Sequence, residues 1–407
     1  MVTATARRRS LWVLVAAATL TVMAGAILGP IVPQIRDELG VSGAAAGLII
    51  TTHGGVIVLA SPLAGALVDR VGPRRPFVGG LVVYGIGGGA GLFVDSFLPL
   101  LASRVVLGLG TAAVYTAVTV LIYDLYEGQA MERALGYRSS ANSAGAAVWP
   151  LVGGAAGTVA WNLPFGVYLV ALPLGLVAAA TIPETHASNR DHAPKHDAAA
   201  SGASGPDLRS RVAATVAVFR RRPGLLPVYL LYFGANALLY VVVVFYPQFL
   251  PAVGVTSSFP ISLYLAANGL AGGVAAAVYD RLVRRLDRSI LVLAALCLWV
   301  VGFGVASVAE TAVEAVLPVV LSGFGIGLVF PSTFAWVEAF APPDRQGQFS
   351  SYVASFGYTG QFLSPLLFGP LVPVVGLRGV FGAAATVAAV GALGLGAWWV
   401  RGRERLQ

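Results

Sequence analysis

Twelve apolar runs divide the chain, at 11–33, 44–66, 77–94, 98–121, 140–161, 165–182, 225–250, 258–279, 289–308, 315–337, 350–374 and 379–400. Each is close to the roughly 20 residues that carry a helix across bilayer hydrocarbon, so the pattern predicts twelve membrane-spanning helices joined by short loops. One polar stretch is longer than the rest. Glu184 to Arg222 has neither helical periodicity nor enough apolar residues to fold alone, and reads as a solvated tether. The predicted organisation is therefore a six-helix bundle over 1–183, a linker over 184–222 and a second six-helix bundle over 223–407.

Composition removes the soluble alternatives. Hydrophobic residues make up 57% of the 407 positions and charged ones 11%, with mean hydropathy +0.80, against about 25% charged in soluble domains. The 50 glycines and 24 prolines sit largely inside apolar runs, where membrane helices tolerate them. A net charge of +8 raises nucleic acid as a partner until the charges are mapped. With a cytoplasmic N-terminus, 23 of the 26 Lys and Arg residues fall on cytoplasmic segments; Arg36 and Arg378 fall outside, and Arg104 within a span. This is the positive-inside distribution, which predicts both termini in the cytoplasm of a prokaryotic inner membrane and no nucleic-acid partner. Arg7, Arg8 and Arg9 ahead of an apolar run imitate a secretory signal, but eleven further spans follow, so the run is taken as span 1. The single cysteine, Cys297, lies mid-span and forms no disulfide within the chain.

The halves repeat. Asp69-Arg70 after span 2 recurs as Asp280-Arg281 after span 8, an offset of 211; Gly108, Gly110, Gly145, Pro150 and Gly154 recur as Gly323, Gly325, Gly360, Pro365 and Gly369, an offset of 215. Two six-helix repeats related by an axis along the membrane normal place a solute site between them near the midplane. In the first loop, Gly65 and Gly72 permit close helix contact and a tight turn, Asp69 can meet a neighbouring helix N-terminus, and Arg70, Arg74 and Arg75 hold the loop at the anionic leaflet. Such a cluster can latch one conformation.

With that spacing the segment resembles the loop motif of the major facilitator superfamily. Leu101, Arg104, Gly108 and Gly110 in span 4, Gly145, Trp149, Pro150, Gly153 and Gly154 in span 5, and Pro183-Glu184-Thr185 after span 6 extend the resemblance over the first half. The span 5 pattern is similar to the helix-bend motif of the twelve-span drug/proton antiporter branch, which implies efflux of small organic compounds. Trp149 stands where that motif has Gly, Leu107 where a polar residue is common, and Pro73 where a basic one is expected.

No acidic residue lies near mid-membrane. A membrane carboxylate is the usual means of exchanging a proton for an organic cation, so its lack favours neutral, zwitterionic or anionic solutes. His53, midway along span 2, is the candidate proton carrier; the alternative is a neutral histidine hydrogen-bonded to Thr51, Thr52 or a facing helix. Arg104, Gly108, Thr111, Tyr115 and Thr119 share one face of span 4, which is expected to line the cavity. Arg104 is either a ligand contact or a structural donor to span 1 backbone. Tyr229, Tyr232, Asn236 and Tyr240 form an aromatic face on span 7. Asn142 and Trp149 in span 5, Tyr264 and Asn268 in span 8, and Tyr358 and Gln361 in span 11 complete the candidate lining. His186, His192 and His196 match no metal-ligand spacing, and there is no nucleotide-binding loop or nucleophile elbow, so no cofactor and no enzymatic activity is expected. The reading is a monomeric, proton-coupled secondary exporter of small amphiphilic solutes. Uptake symport or uncoupled facilitation is the alternative in transport, and a receptor or scaffold the alternative outside it.

Overall fold

The computed structural model of the chain describes residues 4–184, 217–342 and 345–404. Most of the tether, including His186, His192 and His196, lies outside the described residues. The first half contains α1 (Ala4–Ala26, continued by a short turn and Val32–Leu39), α2 (Gly43–Val71), α3 (Arg74–Gly89), α4 (Phe97–Leu125), α5 (Gly128–Gly157) and α6 (Leu163–Gly166, Val167–Val170 and Ala171–Thr181). The second contains α7 (Leu225–Phe249), α8 (Ser258–Val283), α9 (Arg288–Val308), α10 (Val316–Phe340), α11 (Gln346–Phe368) and α12 (Val372–Glu404). No strand occurs among the described residues. Nine helical stretches among them are long and apolar enough to span a bilayer, the last of which, Gln348–Ala397, holds both α11 and α12. The 16-residue α3 and the polar-headed α5 make up the twelve.

One boundary differs sharply from the apolar pattern. Span 5 was expected to begin at 140, yet α5 begins at Gly128. Gln129, Glu132, Arg133 and Arg138 lower the hydropathy of its first turns without breaking the helix, since all four are good helix formers. Arg133 and Arg138, counted as loop charges, are therefore helical.

Packing repeats as the sequence does. The pairs α1·α5, α2·α4, α3·α4 and α3·α6 recur as α7·α11, α8·α10, α9·α10 and α9·α12. Lipid offers no hydrophobic drive for helix association, so close backbone approach matters instead. Gly110 lies against the backbone of Gly80 and Tyr84, and Gly325, its repeat, against Trp299; a Cβ at either would be 2.4 Å or less from a neighbouring atom. Three donors converge on α1 carbonyls: Tyr84 on Leu20, Trp149 on Thr19 at 3.0 Å and Tyr168 on Ala24 at 2.9 Å.

The halves meet through α5·α8 and α2·α11. Twelve successive spans return the chain to the face it starts from, here the terminal face; the opposite face is the distal one. Gly154 abuts Ser258 and Ser262, and Gly369, its repeat, abuts Ala44. Gly47 meets Val244 and Pro365, Gly55 meets Phe362, and Gly269 meets Ala146. Hydrogen bonds from Ser258 to the Gly154 carbonyl (2.9 Å) and from Gln248 to the Gly43 carbonyl (3.3 Å) join the halves. All of these approaches lie in the distal half of their helices.

Candidate functional site

Beyond these contacts, toward the terminal face, α4, α5, α7 and α11 bring together polar and aromatic side chains. The Arg138 guanidinium stacks on the Tyr115 ring at 5.0 Å and donates to the Thr119 hydroxyl at 2.9 Å. Tyr115 meets Tyr358 of α11 edge to face at 6.2 Å, across the two halves. On α11, Gln361 donates to the Asn236 side-chain oxygen (2.9 Å), and Asn236 in turn donates to the Tyr232 carbonyl (2.9 Å). The Tyr232 ring packs on Phe330 and Phe334. Such a lining combines apolar faces with few hydrogen-bonding groups, as small-molecule sites do.

His53 and Tyr240, from opposite halves, both close on Gly25 of α1. A Cβ on Gly25 of α1 would lie 2.7 Å from the Tyr240 hydroxyl and 2.9 Å from His53 Cε1. Only glycine leaves room for the two rings there. His53 Nδ1 is 2.6 Å from the Ile50 carbonyl, one turn back, rather than bonded to Thr51 or Thr52.

Several expected cavity residues stand elsewhere. Arg104 is fully buried between α3 and α6, not on the face toward the other half. It donates to the carbonyls of Gly87 (3.1 Å) and Gly88 (2.8 Å) and packs on the Phe165 and Tyr168 rings. Those carbonyls belong to the last turn of α3, whose final acceptors lack intrahelical donors, so Arg104 caps α3 rather than bonding span 1 backbone. Thr111 is buried and bonds Leu107 of its own helix. The predicted single face of span 4 thus divides: Arg104 and Thr111 go into the first half, Tyr115 and Thr119 to the shared space. Tyr264 and Asn268 donate to the carbonyls of Ala312 and Val319 within the second half, and Trp149 ties α5 to α1. Asn142 stays on the α5 face one turn from Arg138, its Oδ1 buried with no partner among the described residues.

The loop cluster has mixed fates. Gly72 adopts φ +79°, a conformation costly for any residue with a Cβ. Arg74 pairs with Glu184 at 2.9 Å and donates to the Ala179 carbonyl, fastening the start of α3 to the end of α6. Gly65 has open space around it; Asp69 and Arg70 form the last turn of α2, while Asp280 and Arg281 are exposed. The helix-bend residues lie along contacts: Gly145 against Trp149, Gly153 against Ile27, and Gly154 against Ser262, with α5 continuous through Pro150.

Arg138 was missed as a site residue because hydropathy placed it in a loop. The signal was the spacing of Arg138, Asn142, Gly145 and Trp149, which steps along one helical face.

Two repeated six-helix halves around a polar-aromatic lining are the architecture of membrane transport proteins. The chain matches the Major Facilitator Superfamily over residues 14–365 and again over 256–407, and it belongs to that family. It is 29% identical over 150 residues to the bacillibactin exporter of Bacillus subtilis, covering 35% of this chain and 37% of the relative. Similarity to multidrug resistance protein 1 of the same organism is 34% over 139 residues, 33% of this chain and 35% of the relative. To the quinolone resistance protein NorA of Staphylococcus aureus it is 27% over 136 residues, again 33% and 35%. The chain thus aligns with little more than a third of each relative's length. Among solved structures, a bacterial homologue of the human lysosomal transporter Spinster superposes with TM-score 0.79 at 14% identity, covering 97% of both chains. The nucleoside transporter NupG superposes with TM-score 0.77 at 13% identity, covering 96% of this chain and 99% of that one. These establish the fold.

Proposed function

We propose that this transporter exports small amphiphilic solutes from the cytoplasm, exchanging them for protons by rocking of its two halves. The observation that carries the reading is the arrangement of contacts. The halves touch in their distal portions through glycine-backed pairs, and the polar-aromatic lining lies just beyond, toward the terminal face. An arrangement closed at one end suits alternating access. The positive-inside charge distribution orients the terminal face to the cytoplasm, and the similarity to named exporters supports efflux.

His53 is the proton-carrying group in this reading. It shares the space beside Gly25 with Tyr240 of the other half, so a change in its charge alters the packing where the halves must separate when they rock. Asp69, Arg70, Arg74, Asp280 and Arg281 steady the terminal-face loops, and the functional unit is the monomer.

The test is proton movement in proteoliposomes containing an internal pH dye, challenged with cationic, neutral and anionic amphiphiles. Solute-triggered proton flux is expected in the wild-type protein, and His53→Gln is expected to lose it while retaining solute binding. Full pH-driven transport by the variant would remove His53 from the mechanism. Solute movement without proton flux would indicate a facilitator, and no flux for any solute would sink the transport reading itself.

A further inference from the structure

Resting on that transport reading, the structure assigns to α5 a subsite for small organic acids. Arg138 receives the carboxylate, and Asn142 receives a hydrogen-bond donor from the same solute. Three observations carry this.

First, Arg138 lies ten residues inside α5 at the space shared by the halves, and no carboxylate among the described residues pairs with it. A half-buried cation between aromatic rings and the edge of the apolar run keeps hydrogen-bonding capacity that water or an anion completes. Second, the shell that the protein supplies is incomplete, and the remaining donors are open to solvent. Of the five donors a guanidinium carries, only the one on Thr119 is used among the described residues. The Tyr115 ring holds the plane but supplies no counter-charge. Arg104 is the contrast: it is fully buried inside the first half against the Gly87 and Gly88 carbonyls and the Phe165 and Tyr168 rings, and although its Nη1 has no partner among the described residues, it has no opening to a solute.

Third, Asn142 sits one helical turn along the same α5 face, where side chains four residues apart lie about 6 Å from each other. Its buried Oδ1 accepts no hydrogen bond among the described residues. An orphaned buried acceptor is costly, and that cost is removed when a bound N–H or O–H reaches it. Unused donors on a cation beside an unused acceptor match a carboxylate adjacent to an amide, sulfonamide or hydroxyl group. Tyr115 and Tyr358 supply the apolar wall for the remainder.

The purified full chain is titrated with dansyl-phenylalanine, which carries a carboxylate next to a sulfonamide N–H, and with its neutral methyl ester, following dansyl fluorescence. Wild type is expected to bind the acid about 10- to 100-fold more tightly than the ester, the range of one or two charge-assisted hydrogen bonds. Arg138→Gln is expected to abolish that ratio by weakening the acid alone. Arg138→Lys, which keeps charge but loses the planar fork, is expected to recover part of it. Asn142→Ala is expected to weaken both probes equally, because both retain the N–H. An acid-to-ester ratio unchanged in Arg138→Gln, or a wild type without preference or binding, overturns the assignment. If Arg138→Gln does not fold, the wild-type ratio and Arg138→Lys decide. Flux of the two probes in proteoliposomes separates the readings: transport of both with no acid preference defeats the subsite alone, whereas tight acid binding without any flux defeats the transport reading.

Discussion

Two arginines show how burial divides roles among identical side chains. Arg104 makes its bonds to the open end of α3, where Gly87 and Gly88 carry carbonyls that the helix cannot satisfy itself. Each charge-assisted bond of this kind contributes about 1.5–3 kcal/mol, so Arg104→Leu is expected to destabilise the first half by roughly 3 kcal/mol or more. A thermal-melt measurement in detergent checks this: a sharply lowered midpoint is expected for Arg104→Leu, and a near wild-type midpoint for Arg138→Lys. Comparable melts would mean that Arg104 is not a cap. Both residues were visible as charges in the sequence, but only their neighbours separate cap from solute contact.

At the scale of elements, chain ends and loops carry their own electrostatics. Between α9 and α10, on the distal face, the Glu314 carboxylate accepts from the backbone N–H of Glu310 (2.8 Å) and of Thr311 (3.3 Å). These bonds favour the charged form and hold the carboxyl below its ordinary value of 4.5. The sign follows. A depressed pKa gives stabilisation that is complete above the unfolded value and is lost as pH falls through the folded one. Glu314→Gln at neutral pH is therefore expected to speed amide hydrogen exchange at Glu310 and Thr311, and wild type is expected to converge on the variant in acid. Equal protection in both at pH 7 would show that the loop is held by other contacts. The helices themselves were largely readable from hydropathy. The early start of α5 was not, because a helix can project past the hydrocarbon with a polar surface, and apolar run length then marks the bilayer and not the helix.

For the whole molecule, the consequence of the repeat is an interface built twice, α5 on α8 and α2 on α11, with Gly154 and Gly369 in corresponding places. A Cβ on Gly369 would lie 2.3 Å from the Ala44 Cβ, so small adjustments bring a cysteine pair there within disulfide reach. With Cys297 replaced, oxidised Ala44→Cys/Gly369→Cys protein is expected to lose solute flux and to regain it on reduction. Undiminished flux with the bridge formed would mean that the distal contact need not open, and rocking about the shared axis would be wrong.

The sequence by itself determined the membrane class, the two repeated halves and the family motifs, because bilayer thickness imposes run length and each span satisfies its own backbone regardless of its neighbours. It also marked the aromatic and amide residues of α7 and α11. Which polar side chains face the space between the halves was decided only by tertiary structure. A helical face is defined locally, but its neighbour is not: one face of α4 supplies Arg104 to the end of α3 and Tyr115 to α5 and α11. Assigning those roles depends on the rotation and crossing of whole helices, set by where glycines let backbones approach.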